Sequence, residues 1–360
     1  MRIILIIVGI PRFPPTLTAF PMKINALLIA SGLALAALPA VAQEKVLNLY
    51  TSRHYQTDEA LYANFTKATG VKVNRIEASD DAIIERMKQE GARSPADVLM
   101  TVDAGRLWRA EQAGLLQPTR SKVLEERIPG ELRHPEGLWF GFSMRARPIF
   151  YAKGRVDPKQ LRDYEDLADP RWKGKICIRS SSNVYNLSLM SSLIAGAGPQ
   201  KAEEWAKGVV ANMARAPKGG DTDQLMAVAA GECDIAVANT YYFVRLLKSA
   251  KPAEKAAAEK IGVIWPNQGN RGTHVNISGA GVAKHAPHRD AAVKFLEYLS
   301  SPEAQAYFAN GNNEYPTVGK TTGNRELASL GDFRKDSLNV SLLGRNQPAA
   351  QQIYDRAGWK

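Results

Sequence analysis

The sequence predicts an α/β protein of two lobes joined by crossing strands, each a mixed, largely parallel sheet flanked by helices, and three observations carry that expectation. Short β-branched or apolar runs alternate with helix-length amphipathic ones, the pattern of strands feeding helices. Midway, GLWFGFSMRARPIFYAKGRV from Gly137 is strand-rich and lacks a helical stretch, as expected where a chain crosses between lobes. The 360 residues also suffice for two hydrophobic cores after an N-terminal leader is set aside.

The leader is MKINALLIASGLALAALPAVA, Met22 to Ala42: a lysine, an apolar stretch broken only by small residues, and Ala40-Val41-Ala42 as a small-x-small cleavage site. It reads as a bacterial secretory signal, with Met22 as the expected true start, so residues 1–42 are excluded from the fold. Removing them takes Arg2, Arg12 and Lys23 from a net charge of +11. The remaining positive excess is spread without basic blocks or aromatic-basic interleaving, which argues against nucleic acid. No second apolar run approaches the ~18 residues of a membrane span.

In order, LNLYTS reads as a strand. TDEALYANFTKATG is a helix opened by Thr57, with Asp58 and Glu59 in its first turn and Gly70 closing it, and VKVNRIEA is the next strand. DDAIIERMKQEG and ADVLMTVDAGRLWRAEQAG continue the alternation. After the crossing, KGKICIRS leads into a helix near 184–195, and a second helix covers about 200–213. DTDQLMAVAAG is followed by DIAVAN running into TYYFVRLLKS. KSAKPAEKAAAEK reads as a surface helix or loop, HVNISGAGVAKHA from His274 as the return crossing, and DAAVKFLEYLSSPEAQAYFAN as a helix pair. The expected division is 43–144 with 275–318 as lobe one, 145–274 as lobe two, and 319–360 as a C-terminal segment packing back on lobe two.

Tyrosines mark the strand-to-helix junctions. Tyr241 and Tyr242 stand side by side in CDIAVANTYYFVRLL, Tyr185 lies in KICIRSSSNVYNLSLM, and Tyr55 in LNLYTSRHYQTDE. Ligands of open α/β sheets bind beyond the carboxyl ends of strands, where such junctions converge. A lone tyrosine in a first helical turn is ordinarily packing; four at matching positions suggest a site. Phenolates are hard oxygen donors suited to a hard, highly charged cation, with Fe³⁺ the physiological candidate, rather than Zn²⁺ or Cu⁺. Deprotonating a phenol at pH 7 costs roughly 4 kcal/mol, which helix N-termini, arginines and the metal itself offset. His54 could add one imidazole, the alternative being an ordinary loop histidine. Arg53, Arg145 and Arg245 are candidates to balance phenolate charge, Arg245 sharing a helix face with the paired tyrosines. Ser180, Ser181 and Ser182 precede a helix and could either hold an anion or serve in plain turn chemistry.

Export permits a disulfide, and the chain has only Cys177 and Cys233, each eight residues before a candidate tyrosine. On parallel strands feeding helices they would occupy equivalent levels of one sheet and could pair; the alternative is two buried free thiols. Their spacing supports no CxxC site.

Together SRHYQTDEALYANF, PADVLMTVDAGRL, SMRARPIFY, SSSNVYN and NTYYFVRLL resemble the periplasmic ferric-iron-binding proteins of ABC transporters, of the type II periplasmic binding protein fold. The resemblance spans essentially the whole mature chain and is carried most specifically by NTYY with ADV…TVDAGRL. It implies a periplasmic, monomeric, non-enzymatic protein whose lobes close over iron. Tyr241, Tyr242, Tyr185 and Tyr55 would be ligands, and the cargo would pass to an inner-membrane permease and its ATPase. The His54-Tyr55 pair resembles the branch with a mostly protein-supplied shell, leaving open a synergistic anion such as carbonate. Two alternatives stand beside this: an oxyanion or organic solute held by Ser180–Ser182 and the arginines, or an iron-phenolate oxidase. Against the oxidase, these loops cannot assemble two histidines and a carboxylate. No GxSxG, HExxH, P-loop or complete GxGxxG is present; Gly279-Ala280-Gly281 lacks the third glycine.

Overall fold

The computed structural model describes residues 45–320 and 323–360, apart from His54 and Gln56. The secretory segment and the candidate ligand His54 lie outside the described residues.

Among the described residues, ten strands form two sheets. The larger has the order β10-β4-β9-β3-β1-β2, with β1 Val46–Thr51, β2 Lys72–Glu77, β3 Val98–Val102, β4 Phe140–Ala146, β9 Val275–Val282 and β10 Tyr315–Pro316. The smaller has the order β6-β7-β5-β8, with β5 Ile149–Ala152, β6 Ile176–Cys177, β7 Ile235–Val237 and β8 Ile261–Ile264. Only Arg147 and Pro148 separate β4 from β5, so the chain passes from one sheet to the other in two residues.

Both sheets are mixed, as expected, but their antiparallel pairs outnumber the parallel ones. Pairs β1–β2, β1–β3 and β6–β7 are parallel, while β3–β9, β4–β9, β10–β4, β5–β7 and β5–β8 are antiparallel. The cause is the double crossing. A strand that arrives from the other sheet enters without a βα unit to reverse its direction, so β5 and β9 run against their neighbours. β8 was not expected from the sequence, its four residues being too short to show a period.

Helices flank both sheets. Between the strands of the larger one run α1 (Asp58–Thr69), α2 (Asp80–Glu90), α3 (Ala104–Gln112) and α4 (Lys122–Arg127). The smaller is flanked by α5 (Val184–Ala197), α6 (Pro199–Asn212), α7 (Asp221–Ala230), α8 (Thr240–Leu247) and α9 (Pro252–Glu259). α10 (Arg289–Leu299) and α11 (Pro302–Asn312) follow β9, and α12 (Arg325–Ala328), α13 (Ser341–Arg345) and α14 (Gln347–Ala357) end the chain. The C-terminal helices do not pack on one side alone: α14 lies against α5 and α6, whereas α13 touches both α3 and α5.

The cores follow strand alternation. On the smaller sheet Ile149, Ile176, Ile235 and Val237 face one apolar cluster, while Phe150, Cys177 and Ala236 face another. On the larger sheet the glycines of β9 have a packing role. A Cβ at Gly281 would lie 2.3 Å from the Leu138 carbonyl oxygen, and one at Gly279 2.7 Å from that of Phe140, so only glycine lets β9 lie against the chain around β4.

Cys177 and Cys233 form a disulfide with Cα atoms 5.9 Å apart. Its geometry differs from the equivalent-level arrangement expected: the register sets Cys177 opposite Ala236, and Cys233 reaches across from the turn before β7. The matching eight-residue offsets are a coincidence of unequal loops, since residues 178–183 join β6 to α5 but only 238 and 239 join β7 to α8.

Candidate metal centre

Each tyrosine is delivered by a strand that ends and a helix that begins. β7 stops at Val237 and α8 starts at Thr240, with Asn239 as its N-cap, which puts Tyr241 and Tyr242 in the first turn. β6 stops at Cys177 and α5 starts at Val184, where Asn183 caps the helix by accepting the Tyr185 N–H at 3.0 Å. Tyr55 lies between β1 and α1. Asn stands at the caps of α5 and α8, whereas α1 is opened by Thr57.

All four phenols line one cleft of about 740 Å³, together with Arg53, Arg245 and Asn312 among others. The Tyr241 hydroxyl donates to the Tyr185 oxygen at 3.2 Å, and the Tyr241 and Tyr242 rings lie tilted by 33° with centroids 4.3 Å apart. Arg245 brings the clusters together: its guanidinium lies 5.1 Å from the Tyr241 ring centre, 5.6 Å from that of Tyr242 and 5.2 Å from that of Tyr55, which comes from the other sheet.

Burial pushes Tyr241 well above its ordinary pKa, and the phenols of Tyr185, Tyr55 and Tyr242 push further; Arg145 opposes them. Tyr185 is raised by burial, then by Tyr242 and Tyr55. Tyr55 is raised by burial and Glu314, against Arg53, Arg145 and Arg245. The metal-free phenols of Tyr55, Tyr185 and Tyr241 are therefore protonated at neutral pH. What disfavours their ionisation is desolvation and mutual repulsion, both of which a multivalent cation in the cleft relieves. Among the described residues no group of three or more His, Cys, Asp or Glu side chains is placed to hold a metal.

Arg53 and Arg145 lie beneath the phenols. Arg53 pairs with Asp58 at 2.8 Å and its guanidinium sits 4.7 Å from the Tyr55 ring centre. Arg145 pairs with Glu314 at 2.5 Å, hydrogen-bonds Ser278, and lies 5.9 Å from the Tyr241 ring centre. Glu314 also accepts from Ser143 at 2.6 Å. Burial alone would raise its pKa, but Arg145 and Arg53 hold it at about 2. Nothing local in NNEYP marks Glu314 in the sequence, and its partners lie far away along the chain. Asp221 is a second such residue. Its carboxylate accepts the Asn239 N–H at 2.7 Å and pairs with Arg147 at 2.9 Å. The pattern of an asparagine ending a strand before TYY could have pointed to Asn239.

The serines stand apart. Ser180, Ser181 and Ser182 are not among the residues lining the cleft. Ser180 and Ser182 hydrogen-bond each other at 3.0 Å, Ser180 also accepts the Ser182 N–H, and the Ser181 N–H is given to the Lys360 carbonyl. Their chemistry here is that of a turn.

Residues 93–329 match the family described as Bacterial extracellular solute-binding protein. The chain belongs to that family. Iron uptake protein A1 from Synechocystis is 52% identical to this solute-binding protein over 348 residues, covering 95% of this chain and 96% of the relative. The Major ferric iron-binding protein of Neisseria meningitidis serogroup B is 28% identical over 336 residues, 92% of this chain and 98% of that one. Among solved structures, Trichodesmium FutA in complex with iron and citrate superposes with a TM-score of 0.85 at 59% identity, over 88% of this chain and 100% of that one. The ferric binding protein from Campylobacter jejuni does so with 0.82 at 42% identity, over 87% and 100%. The solute-binding protein thus has the two-lobe α/β fold of these binding proteins.

Proposed function

We propose that this solute-binding protein captures ferric iron in the interlobe cleft and delivers it, without catalysis, to an inner-membrane ABC permease and its ATPase. It would act in the periplasm after cleavage of its secretory signal, as a monomer with lobes divided near residues 144 and 275. Tyr55, Tyr185, Tyr241 and Tyr242 are the proposed ligands, with His54 as a fifth. The observation that carries this reading is the convergence of four phenols from both sheets on one cleft, with two of their oxygens 3.2 Å apart. Relatives named for iron uptake and ferric-iron binding support the choice of metal.

A protein-supplied shell is also favoured over one completed by carbonate. One N–H at the start of α8, that of Asn239, is already taken by the buried Asp221 carboxylate, and the serines lie elsewhere. The test is spectroscopic. Purified protein given ferric ion under carbonate-free conditions should develop an orange to purple phenolate charge-transfer band with one iron per chain. A colourless protein, or one that colours only when carbonate is added, would contradict the reading of the metal or of the shell respectively.

A further inference from the structure

We propose that Arg147, which is not itself a candidate ligand, sets the separation of the two tyrosine-bearing helix ends and so determines the geometry of the iron site. This rests on the reading above that Tyr185 and Tyr241 bind the ferric ion.

Arg147 is the first of the two residues that cross from β4 to β5 and is 1% exposed. Its backbone is fixed on both sides: its N–H goes to the His274 carbonyl at 3.1 Å, and its carbonyl accepts the Tyr164 hydroxyl at 2.8 Å. From this anchored position its guanidinium reaches three helix N-termini. One arm donates to Asn186 Oδ1 at 2.9 Å, in the first turn of α5 directly after Tyr185. The other donates to Asn239 Oδ1 at 3.0 Å, the N-cap of α8 two residues before Tyr241. Asp221, the first residue of α7, pairs with it at 2.9 Å.

A cation is electrostatically misplaced among three helix N-termini, each of which carries positive partial charge. The Asp221 carboxylate offsets that cost, and the same carboxylate holds the Asn239 N–H. Burial of the guanidinium leaves Nε without a hydrogen-bond partner. Simple apolar filling would avoid all of this. What the arrangement provides is a rigid planar fork whose two arms cannot change their spacing, with one asparagine from each tyrosine-bearing helix on its arms. The guanidinium also lies 5.8 Å from the Tyr185 ring centre. The 3.2 Å approach of the two phenol oxygens is then a consequence of a spacing defined below them. α5 is further held by the Tyr354 hydroxyl, which donates to the Asn186 carbonyl at 2.8 Å.

Arg147→Lys keeps a positive charge beside Asp221 but replaces the fork with a single ammonium. Asn239→Ala leaves the Arg147–Asp221 pair intact and removes one arm. Ferric affinity by citrate competition, the position of the charge-transfer band, and the unfolding midpoint of the metal-free protein are measured for parent, both variants and the double variant. The expected result is a loss of about 10- to 100-fold in affinity for each single variant, with a displaced band. The double variant should be no worse than the Lys variant alone, because both break the same tie. A purely structural role would lower the metal-free midpoint while leaving the band where it is. Parent-like affinity and band in a folded Arg147→Lys protein would overturn the proposal. Should that variant fail to fold, a parent-like Asn239→Ala would overturn it equally. A parent without any band would instead overturn the iron reading, and this inference with it.

Discussion

Tyr241 is only 2% exposed, yet its hydroxyl points to another tyrosine and its ring lies between Arg145 and Arg245. In a core position a phenylalanine would serve as well, so the oxygen is the informative atom. Replacing Tyr241 or Tyr242 by Phe should therefore leave the fold intact, weaken ferric binding by at least an order of magnitude and bleach or shift the band. Tyr62→Phe, an apolar-core position whose hydroxyl has no partner, should change neither. Isothermal titration with a ferric chelate and an absorption spectrum decide it. Glu314 gives the complementary prediction. It is buried between two arginines, so Glu314→Gln removes the charge that balances both and should cost roughly 3–5 kcal/mol, read as a lowered midpoint in urea unfolding of the metal-free protein. His274 sets the pH response. Burial first, then Arg147 and Arg271, lower its pKa to about 3, whereas the unfolded chain holds a histidine near 6.5. The unfolded state therefore binds the extra proton, and stability falls as pH drops from about 6.5 towards 3, by at most about 1.4 kcal/mol per pH unit. Glu314, held at about 2, adds a second loss below its unfolded value near 4.5. Urea midpoints from pH 7 to 4 for parent and His274→Gln should diverge below 6.5; parallel curves would show that His274 does not carry the effect.

At the scale of elements, the site is a set of helix beginnings held by what lies behind them. α5, α7 and α8 converge through Asn186, Asp221 and Asn239 on one guanidinium, and the disulfide ties β6 to the turn before β7 across 56 residues of sequence. In the chain-entropy treatment a loop of that length stabilises by about 4 kcal/mol, with measured values commonly lower. The Cys177→Ala, Cys233→Ala double variant should accordingly unfold at a markedly lower temperature while keeping its band when folded, because neither sulfur lies in the cleft. Reduction with a thiol should do the same to the parent. An unchanged midpoint after complete reduction would contradict the stabilising role.

For the whole molecule, the relation between the two sheets matters most. Tyr55 follows a strand of the larger sheet, and Tyr185, Tyr241 and Tyr242 follow strands of the smaller one, so a metal held by all four bridges the two halves. Ferric ion should shift the population towards a closed form, the only one offering the full shell, and reduce the radius of gyration in small-angle scattering; an unchanged value would place the shell within one half. Contacts between the halves already exist away from the phenols. Ser188 on α5 donates at 2.6 Å to Asp103, which caps α3 with a backbone φ of 77°. Asn313 accepts from Lys248, the C-cap of α8, at 3.1 Å.

The amino-acid sequence by itself determined the alternation of strands and helices, the crossing after Gly137, and the position of each tyrosine at a strand-to-helix junction. These are local properties, readable from hydrophobic period and capping residues within a dozen positions. It also made a Cys177–Cys233 bridge chemically available. Tertiary structure alone decided the rest. The crossings set the balance of parallel and antiparallel pairs within the mixed sheets, because strand direction depends on which sheet the chain enters and from where. The charges beneath the phenols were illegible for the same reason: Glu314 meets Arg53 and Arg145 across separations of 261 and 169 residues, and no local pattern records such a meeting. Arg147 reads in sequence as one more basic residue before a proline. Only the folded chain surrounds it with three helix N-termini, where a buried charge must be paired and its paired position can define the spacing of everything above it.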